Sequence, residues 1–442
     1  MADTPLAAVV LAAGLGTRMR SQTPKHLHPL LGRRLVDWVI EAIRPLGPQP
    51  FVVVTAPGQE DAFEGLEVAV QSEPRGTGDA AAAARPKLEG FEGDLLLVSG
   101  DAATITTETL QRLLETHRRE QAAATVLSFD RTEPGDYGRI VRAASGSLEA
   151  IVEAGDATPE QLAITEINSS IYAFVAAKLW PALGQLAPEN RQGELYLTDT
   201  IRELVGAGER VAVYRDDDPA EVGVNTRAEL AATAAVLRDR INEAHMLAGA
   251  TIVDPATTWI EPSVELEPDS TIHPFTVLRG ETRVAGGAEV GPHAVLDGAV
   301  VGPQALVGPF CYLRPGTVLE TGAKAGAFVE VKNSRLGAGV KASHQSYIGD
   351  ADIGEGTNIG AGNITANFPH REGEPKARTV IGRNVRTGVH NSFVAPVEIG
   401  DDAWTGAGSV ITRDVPPEAL AVARQRQENK EGYVRKRRER DE

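Results

Sequence analysis

Residues 260–296 read IEPSVELEPDSTIHPFTVLRGETRVAGGAEVGPHAVL, and an aliphatic residue recurs at every sixth position from Ile260 to Leu296. The period slips by one residue and resumes over 301–331, and after further slips it runs over 381–411 with aliphatic or small residues. A six-residue period fits neither an α-helix nor an alternating strand, but it fits one flat face of a coil per repeat. The pattern predicts a β-solenoid in which three repeats make one coil.

Composition limits the classes of protein that this chain can be. Its 442 residues predict two or more domains, and a net charge of −17 makes it a poor general binder of nucleic acid or anionic membranes. The single cysteine, Cys311, cannot form an internal disulfide. No apolar run reaches the length of a membrane span, and residues 1–5 lack the features of a signal peptide. We expect a cytoplasmic protein that binds no nucleic acid and has no membrane span.

The chain changes character along its length. Residues 6–225 alternate short apolar strands with helical stretches, which predicts a Rossmann-like α/β domain with a mostly parallel sheet. We place this domain at 1–226. An alanine-rich connecting helix follows at 227–247, the solenoid domain at 248–424 and a charged tail at 425–442, which either is solvated or closes a neighbouring site.

A glycine-rich loop, LAAGLGTRM at residues 11–19, follows the first predicted strand. Its glycines would let backbone N–H groups approach phosphates, and Arg18 adds positive charge. The loop is not a dinucleotide fingerprint, because Met19 stands where the third glycine belongs, nor does it end in the Gly-Lys-Ser/Thr of a P-loop. An ordinary strand-to-helix turn is the alternative interpretation.

Three further motifs favour a phosphate site. Lys25, after Pro24, offers a second cation, and the Gly-Thr-Gly of residues 76–78 begins another flexible loop. Asp101 ends the Ser-Gly-Asp that follows a predicted strand at 95–98. A carboxylate at the carboxyl end of a parallel strand lies where open α/β sheets bind ligands, and it suits Mg²⁺.

In this order the motifs resemble those of the sugar-nucleotide pyrophosphorylases. The likeness continues through YGRI at 137–140, IVE at 151–153, EIN at 166–168, YLTD at 196–199 and GVN at 223–225. The resemblance implies that a sugar 1-phosphate attacks the α-phosphorus of a nucleoside triphosphate and that pyrophosphate leaves. Such chemistry depends on positioning and charge neutralisation.

The same resemblance implies roles for individual residues. Arg18 and Lys25 would neutralise phosphates, and Asp101 with Asn225 would hold Mg²⁺. The residues implied to face the nucleotide and sugar are Leu11, Ala12, Ala13, Gly14, Lys25, Gln71, Gly76, Thr77, Gly138, Glu153, Asn168 and Asn225.

One part of the solenoid is unusually polar. Arg314, Lys332 and Tyr347 could build a phosphate site, with His344 as a general base, because histidine titrates near neutral pH and an amine must lose a proton to attack a thioester. The spacing leaves open whether these residues share one flank or face a neighbouring chain. A solenoid that serves only as a trimerising stalk is the alternative.

Over residues 5–433 the chain resembles the bacterial family of bifunctional N-acetylglucosamine-1-phosphate uridyltransferases/glucosamine-1-phosphate N-acetyltransferases. The resemblance implies a left-handed β-helix, synthesis of UDP-N-acetylglucosamine from UTP and acetyl-CoA, and a homotrimer that binds acetyl-CoA between subunits. It implies His344 as the base. The implied ligand-binding residues are Arg314, Lys332, Tyr347 and Asn358 for the phosphosugar, and Ala361, Asn367, Phe368, Ala407 and Arg424 for acetyl-CoA.

The chain departs from the family pattern in six places. Residues 102–104 are Ala-Ala-Thr in place of Val-Pro-Leu, 154–155 are Ala-Gly in place of His-Lys, and 168–170 are Asn-Ser-Ser in place of Asn-Thr-Gly. Phe368 replaces tyrosine, Val-His replaces Ser-Asp at 389–390, and the loop at 369–375 is longer. The alternatives to the bifunctional enzyme are a single-activity sugar-1-phosphate nucleotidyltransferase with a structural β-helix and a non-catalytic assembly subunit.

Overall fold

The computed structural model describes residues 4–216, 223–369 and 373–441. The chain divides into two compact units, Met1–Leu237 and Arg238–Glu442. The division falls inside a helix, Arg227–Leu247. Within the described ranges, no helix combines the length and apolar character needed to cross a bilayer.

The first unit has the predicted alternation of strands and helices. Its strands are β1 (Leu6–Ala12), β2 (Pro29–Leu30), β3 (Arg33–Arg34), β4 (Phe51–Thr55), β5 (Glu67–Val70), β6 (Asp94–Ser99), β7 (Ala124–Asp130), β8 (Arg139–Arg142), β9 (Leu148–Val152), β10 (Glu166–Val175) and β11 (Val211–Arg215). The helices, including the one that crosses the division, are α1 (Leu35–Ile43), α2 (Thr77–Ala83), α3 (Thr107–Arg119), α4 (Pro159–Leu162), α5 (Ala176–Leu183), α6 (Asp199–Gly206) and α7 (Arg227–Leu247).

The main sheet has the order β11-β7-β10-β6-β1-β4-β5, and β8 joins it by pairing with β10 and β9. Strand β1 is parallel to both β4 and β6, whereas β10 runs antiparallel between β6 and β7. The pairing of Leu11 with Ser99 sets the carboxyl ends of β1 and β6 side by side. The glycine-rich loop and the segment carrying Asp101 therefore leave the sheet at the same edge, where α/β folds bind ligands.

The second unit is a three-sided parallel β-helix, which confirms the fold predicted from the hexads. The first face contains Thr251–Ile252, Thr271–Ile272, Glu289–Val290, Leu306–Val307, Lys324–Ala327, Lys341–His344, Asn358–Ile359, Trp404–Thr405 and Leu420–Ala421. The second face contains Trp259–Ile260, Val277–Arg279, Val295–Asp297, Tyr312–Leu313, Glu330–Lys332, Tyr347–Gly349, Ile364–Ala366, Ser392–Val394 and Val410–Ile411. The third face contains Glu265–Leu266, Arg283–Val284, Val300–Val301, Val318–Leu319, Arg335–Leu336, Ala351–Ile353, Thr379–Ile381 and Val397–Ile399.

The register confirms that three hexads make one coil. Thr271 pairs with Glu289, which pairs with Leu306, so successive coils lie one above another. Nearly all of the predicted inward residues are buried in one continuous core, and Leu266 packs against it while partly buried. A tail helix, α8 (Tyr433–Asp441), follows the last coil and is exposed along its length.

The last coils have a polar interior. Thr387 and Thr405 occupy inward hexad positions, and both are buried. Thr387 accepts a hydrogen bond from the amide of Asn363, and Thr405 donates one to Asn391. The backbone N–H of Asn391 donates to Oδ1 of Asn363 at 2.6 Å. Buried polar groups are stable only when they are paired, and here they pair from coil to coil.

Candidate active sites

The first unit contains a cavity of about 910 Å³ at the edge where β1 and β6 end. The structure brings together around it every residue that the sequence predicts for nucleotide, sugar or metal binding in this unit. These residues are Leu11, Ala12, Ala13, Gly14, Arg18, Lys25, Gln71, Gly76, Thr77, Asp101, Gly138, Glu153, Asn168 and Asn225.

The glycine-rich loop needs a glycine for a steric reason at one position. Gly16 has a φ of 61°, and a Cβ there would lie 2.5 Å from Cβ of Lys25. Glycine therefore allows the loop to pack against the short 3₁₀ turn Lys25–Leu27. The close approach holds the backbone of Lys25 beside the loop that the sequence predicts to contact phosphates.

Arg18 lines the cavity, and an exposed ion pair holds its guanidinium. It lies in the turn Thr17–Met19 and pairs with Oδ2 of Asp136 at 3.1 Å. The two side chains are 56% and 90% exposed, so solvent screens the pair and it adds little stability. The guanidinium can therefore turn to a phosphate at low cost.

Lys25 sits between two candidate metal ligands. Its ammonium donates to Oδ2 of Asp101 and, at 3.0 Å, to Oδ1 of Asn225. The hydroxyl of Ser99 donates to the other carboxylate oxygen at 2.6 Å. Burial alone would raise the pKa of Asp101, but the charge and hydrogen bond of Lys25, together with Ser99, hold it below its usual value. Asp101 is thus an anion in the folded protein.

The chemistry of these donors fits Mg²⁺. A carboxylate oxygen of Asp101 and the amide oxygen of Asn225 converge on one point, which is now the ammonium of Lys25. Mg²⁺ prefers such hard oxygen ligands and commonly takes one or two from protein and the rest from phosphates and water. The described residues contain no group of three or more His, Cys, Asp or Glu side chains arranged for a metal. Substrate oxygens would therefore complete the coordination.

A second set of polar side chains lines the same cavity. Thr198 donates to Oε1 of Glu153 at 3.0 Å, and the amide of Asn168 donates to the hydroxyl of Tyr172 at 2.7 Å. A Cβ at Gly138 would lie 3.1 Å from Ile151 and 3.5 Å from Oε2 of Glu153, so glycine keeps this wall open. The arrangement presents oxygen acceptors suited to sugar hydroxyls.

Burial and like charges act on Glu153. Desolvation raises the pKa of this carboxylate, and the nearby carboxylates of Asp199, Asp156 and Glu194 raise it further, while the hydrogen bond from Thr198 opposes the shift. The same group of acids contributes to raising the pKa of Tyr196, after burial, to about 12. Negative charge is therefore concentrated around Glu153.

Two of the departures from the family pattern lie in different places relative to the cavity. Residues 102–104 are buried and do not line the cavity, and Ala103 packs with Val224 in a small core cluster. Ala154 and Gly155 do line the cavity. The first change therefore lies beneath the site and the second lies in its wall.

Arg191 is a cation that sequence reasoning missed. Its guanidinium donates to the carbonyl of Gly155 at 3.2 Å, and its backbone N–H donates to Asp156 at 2.9 Å. It therefore lies against the segment where the resemblance predicts a missing basic pair. The signal was weak, because Arg191 is 36 residues from Gly155 in the chain.

In the second unit, the predicted residues divide between two corners of the β-helix. His344 ends a strand of the first face, and its side chain is exposed at the corner where the second face begins with Tyr347. The register of the first face aligns one residue per coil along this His344 corner. The aligned residues are Ala327, His344, Ala361, Val389, Ala407 and Ala423.

Other predicted residues belong with these. Asn358 lies on the first face, three residues before Ala361, and pairs with Lys341. Arg424 follows the last aligned residue, and its Cδ lies 3.8 Å from where a Cβ of Gly408 would be. The His344 corner therefore carries the histidine and three of the five residues predicted for acetyl-CoA.

The remaining residues lie at the corner between the second and third faces, which we call the Lys332 corner. Lys332 pairs in register with Gly349, and Arg314 occupies the same position one coil earlier. A Cβ at Gly349 would overlap the hydroxyl of Tyr347, so this glycine lets the tyrosine fold toward the corner. Arg314 also bonds Glu330 at 2.9 Å.

The Lys332 corner also holds Asn367 and Phe368. The amide of Asn367 is buried and donates to Asp350, whereas Phe368 is 74% exposed. Lys376, which sequence reasoning did not identify, lies 5.9 Å from the centroid of the Phe368 ring. It also lies within hydrogen-bond reach of Lys332, and this contact between two amines lowers the pKa of Lys332. Such a concentration of cations is suited to a phosphate.

Comparison with known proteins agrees with this geometry. Residues 8–199 match the family of MobA-like NTP transferase domains. Bifunctional protein GlmU of Mycolicibacterium gilvum is 46% identical, with 98% of this chain and 92% of that protein aligned. GlmU of Streptomyces avermitilis is also 46% identical, over 98% of this chain and 95% of its own length. GlmU of Mycobacterium tuberculosis shares 46% identity over 98% of this chain and 92% of its own.

Proposed function

This chain belongs to the family of bifunctional GlmU proteins, and from that premise we propose which of its residues carry out each of two reactions. It is a bifunctional enzyme of UDP-N-acetylglucosamine synthesis, a uridyltransferase and an acetyltransferase. This assignment rests on one observation. One predicted set of residues lies around the cavity of the first unit, and the other set lies on the β-helix. We further propose that the enzyme acts in the cytoplasm, where UTP and acetyl-CoA are made.

In the first unit, N-acetylglucosamine 1-phosphate and UTP bind side by side. The backbone of residues 11–14 and the loop at Gly76 hold the nucleotide. Glu153 and Asn168 form hydrogen bonds with the sugar. Arg18 and Lys25 reduce the negative charge that would otherwise keep the two phosphate groups apart. An oxygen of the sugar phosphate then forms a bond to the α-phosphorus, and the bond to the pyrophosphate oxygen breaks.

Asp101 and Asn225 would hold Mg²⁺ in this site. When bound, the ion supplies positive charge to the triphosphate and to the leaving pyrophosphate. The low pKa of Asp101 keeps its carboxylate charged and ready for a cation.

On the β-helix, His344 takes a proton from the amine of glucosamine 1-phosphate. The amine nitrogen forms a bond to the acetyl carbonyl carbon of acetyl-CoA, and the sulfur leaves as a thiolate. Arg314, Lys332 and Tyr347 hold the phosphate end of the sugar, and Asn358 holds its ring. We assign the acetyl-CoA contacts to Ala361, Asn367, Phe368, Ala407 and Arg424.

We propose that the acetyltransferase site is shared between neighbouring subunits of a homotrimer. Asn358 lies on the first face, whereas Lys332 ends a strand of the second face, so the residues predicted for one small sugar phosphate are divided between two corners of the chain. A neighbouring copy that presents its Lys332 corner to a His344 corner would complete the set. Closed ring symmetry would then make three equivalent sites.

Mixed trimers test this arrangement. His344→Ala and Lys332→Ala subunits, each nearly inactive alone, should regain acetyl transfer when they are co-expressed and purified through two different tags. Each mixed trimer then contains one intact site of three, since an intact site takes one wild-type corner from each kind of subunit. Thiol release from acetyl-CoA measures the recovery. Activity that stays at the level of the single variants would place each site within one chain.

The acidity around Glu153 predicts a pH effect on sugar binding. Because the pKa of Glu153 is raised, its carboxylate gains a proton as the pH falls through a range where an ordinary glutamate stays charged. The KM for N-acetylglucosamine 1-phosphate should rise about tenfold per pH unit below that pKa, whereas the KM for UTP should not. Initial rates between pH 5 and 8 measure both.

Glu153→Gln is the control for this effect. The variant keeps an oxygen acceptor but cannot titrate, so its KM should be higher at neutral pH and should vary only with the protonation of the substrate phosphate. If this KM depended equally on pH in the wild type and the variant, the proposed role of Glu153 in sugar binding would be wrong.

A further inference from the structure

Lys25 occupies the position between the two oxygens that suit a metal ion. Its ammonium donates to both Asp101 and Asn225, and the side chains of Lys25 and Asp101 are only 15% and 10% exposed. Asp101 would be costly to leave as a buried, unpaired carboxylate. In the structure, Lys25 therefore provides the positive charge that this carboxylate requires.

We propose that Lys25 is an internal substitute for the metal ion, and that the two exclude each other at Asp101 and Asn225. This inference rests on the proposed metal site in the first unit. An ammonium and Mg²⁺ cannot both lie within bonding distance of the same two oxygens, because two cations in so small and dry a space repel strongly. Metal binding must displace Lys25.

The structure gives the displaced side chain a place to go. The backbone of Lys25 is fixed in a 3₁₀ turn and packed against Gly16, so only the four-carbon stem needs to rotate. The glycine-rich loop beside it is the predicted site of the triphosphate. A phosphate there would pair with the released ammonium, so that binding of the nucleotide and of the metal favour each other. Without a nucleotide, the released ammonium has no such anion and metal binding is weak.

Metal binding in the absence of nucleotide tests this directly. Full-length protein is titrated with Mn²⁺, and the free ion is followed by electron paramagnetic resonance. Lys25→Met should bind Mn²⁺ about tenfold or more tightly than wild type, because the competing cation is gone. Methionine has nearly the length of lysine and adds no oxygen ligand, so a gain in affinity cannot come from a new donor.

Arg18→Met is the matched control, since it also removes one cation from the same cavity. Its guanidinium pairs with Asp136 and not with the metal ligands, so its Mn²⁺ affinity should change by less than about threefold. An equal gain in Mn²⁺ affinity in both variants would show a general effect of charge. It would contradict the proposal that the metal displaces Lys25. Circular dichroism and thermal melting confirm that each variant is folded.

Asp101→Asn separates this inference from the proposed site. If Asp101→Asn removes Mn²⁺ binding and Lys25→Met binds Mn²⁺ no more tightly than wild type, the proposed metal site is supported and the proposed role of Lys25 is wrong. If Asp101→Asn binds Mn²⁺ as wild type does, the metal site itself is wrong. The expected result is loss of binding with Asp101→Asn in both the wild-type and the Lys25→Met background.

Discussion

Replacing His344 with alanine should reduce acetyl transfer by 10²- to 10⁴-fold, the usual contribution of a general base. Without the imidazole, the amine of glucosamine 1-phosphate stays protonated and cannot attack the thioester. His344 is exposed at the surface of the β-helix, so its removal leaves no cavity in the core. Uridyl transfer should continue at the wild-type rate. Release of free thiol and release of pyrophosphate measure the two reactions separately.

A second histidine of the β-helix provides the control. His273 is partly exposed and pairs with Glu289 at 3.4 Å, several coils before His344. His273→Ala should leave both reactions unchanged. Thiol release near the wild-type rate in His344→Ala would show that another group accepts the proton.

Replacing Asp101 should abolish uridyl transfer, with a loss on the order of 10³-fold or more, because the carboxylate is the charged protein ligand proposed for the metal. Asp101→Ala also leaves the ammonium of Lys25 without its anionic partner in a mostly buried position, which costs about 3–5 kcal/mol of stability. Asp101→Asn keeps the shape and isolates the effect of charge. Acetyl transfer should be unaffected in both, as measured by thiol release.

Glu41→Gln is the control for the change in charge. Glu41 pairs with Arg44 on the surface of the first unit, and the pair is about half exposed. Its removal should alter neither pyrophosphate release nor melting temperature appreciably. Pyrophosphate release by Asp101→Asn within tenfold of wild type would exclude Asp101 as a ligand that the reaction needs.

The β-helix could be predicted from the sequence because its signal is local. Each hexad carries its own inward residue, and six of the seven hexad residues from Ile260 to Leu296 are buried, all except Leu266. The order of the first sheet could not be predicted in the same way. Strand β10 inserts antiparallel between β6 and β7. No local sequence pattern indicates which strands pair when they lie far apart in the chain.

The candidate sites show the same limit. The motifs identified which residues should share the first cavity, because strand ends in an α/β sheet meet at one edge. They did not reveal that Lys25 bridges Asp101 and Asn225, which are 76 and 200 residues away. Nor did they reveal Arg191 against Gly155 or Lys376 beside Lys332, since these contacts depend on how separate loops fold. The residue roles themselves stay predictions.

The polar interior of the last coils restricts how this protein can change in length. A coil with only aliphatic inward residues can be duplicated or deleted without leaving a buried polar group unpaired, because hydrophobic contacts have no direction. Loss of one coil among those of Asn363, Thr387, Asn391 and Thr405 would separate amides from hydroxyls and leave buried donors unpaired. Insertions and deletions of whole coils between relatives should therefore fall in the earlier, aliphatic coils.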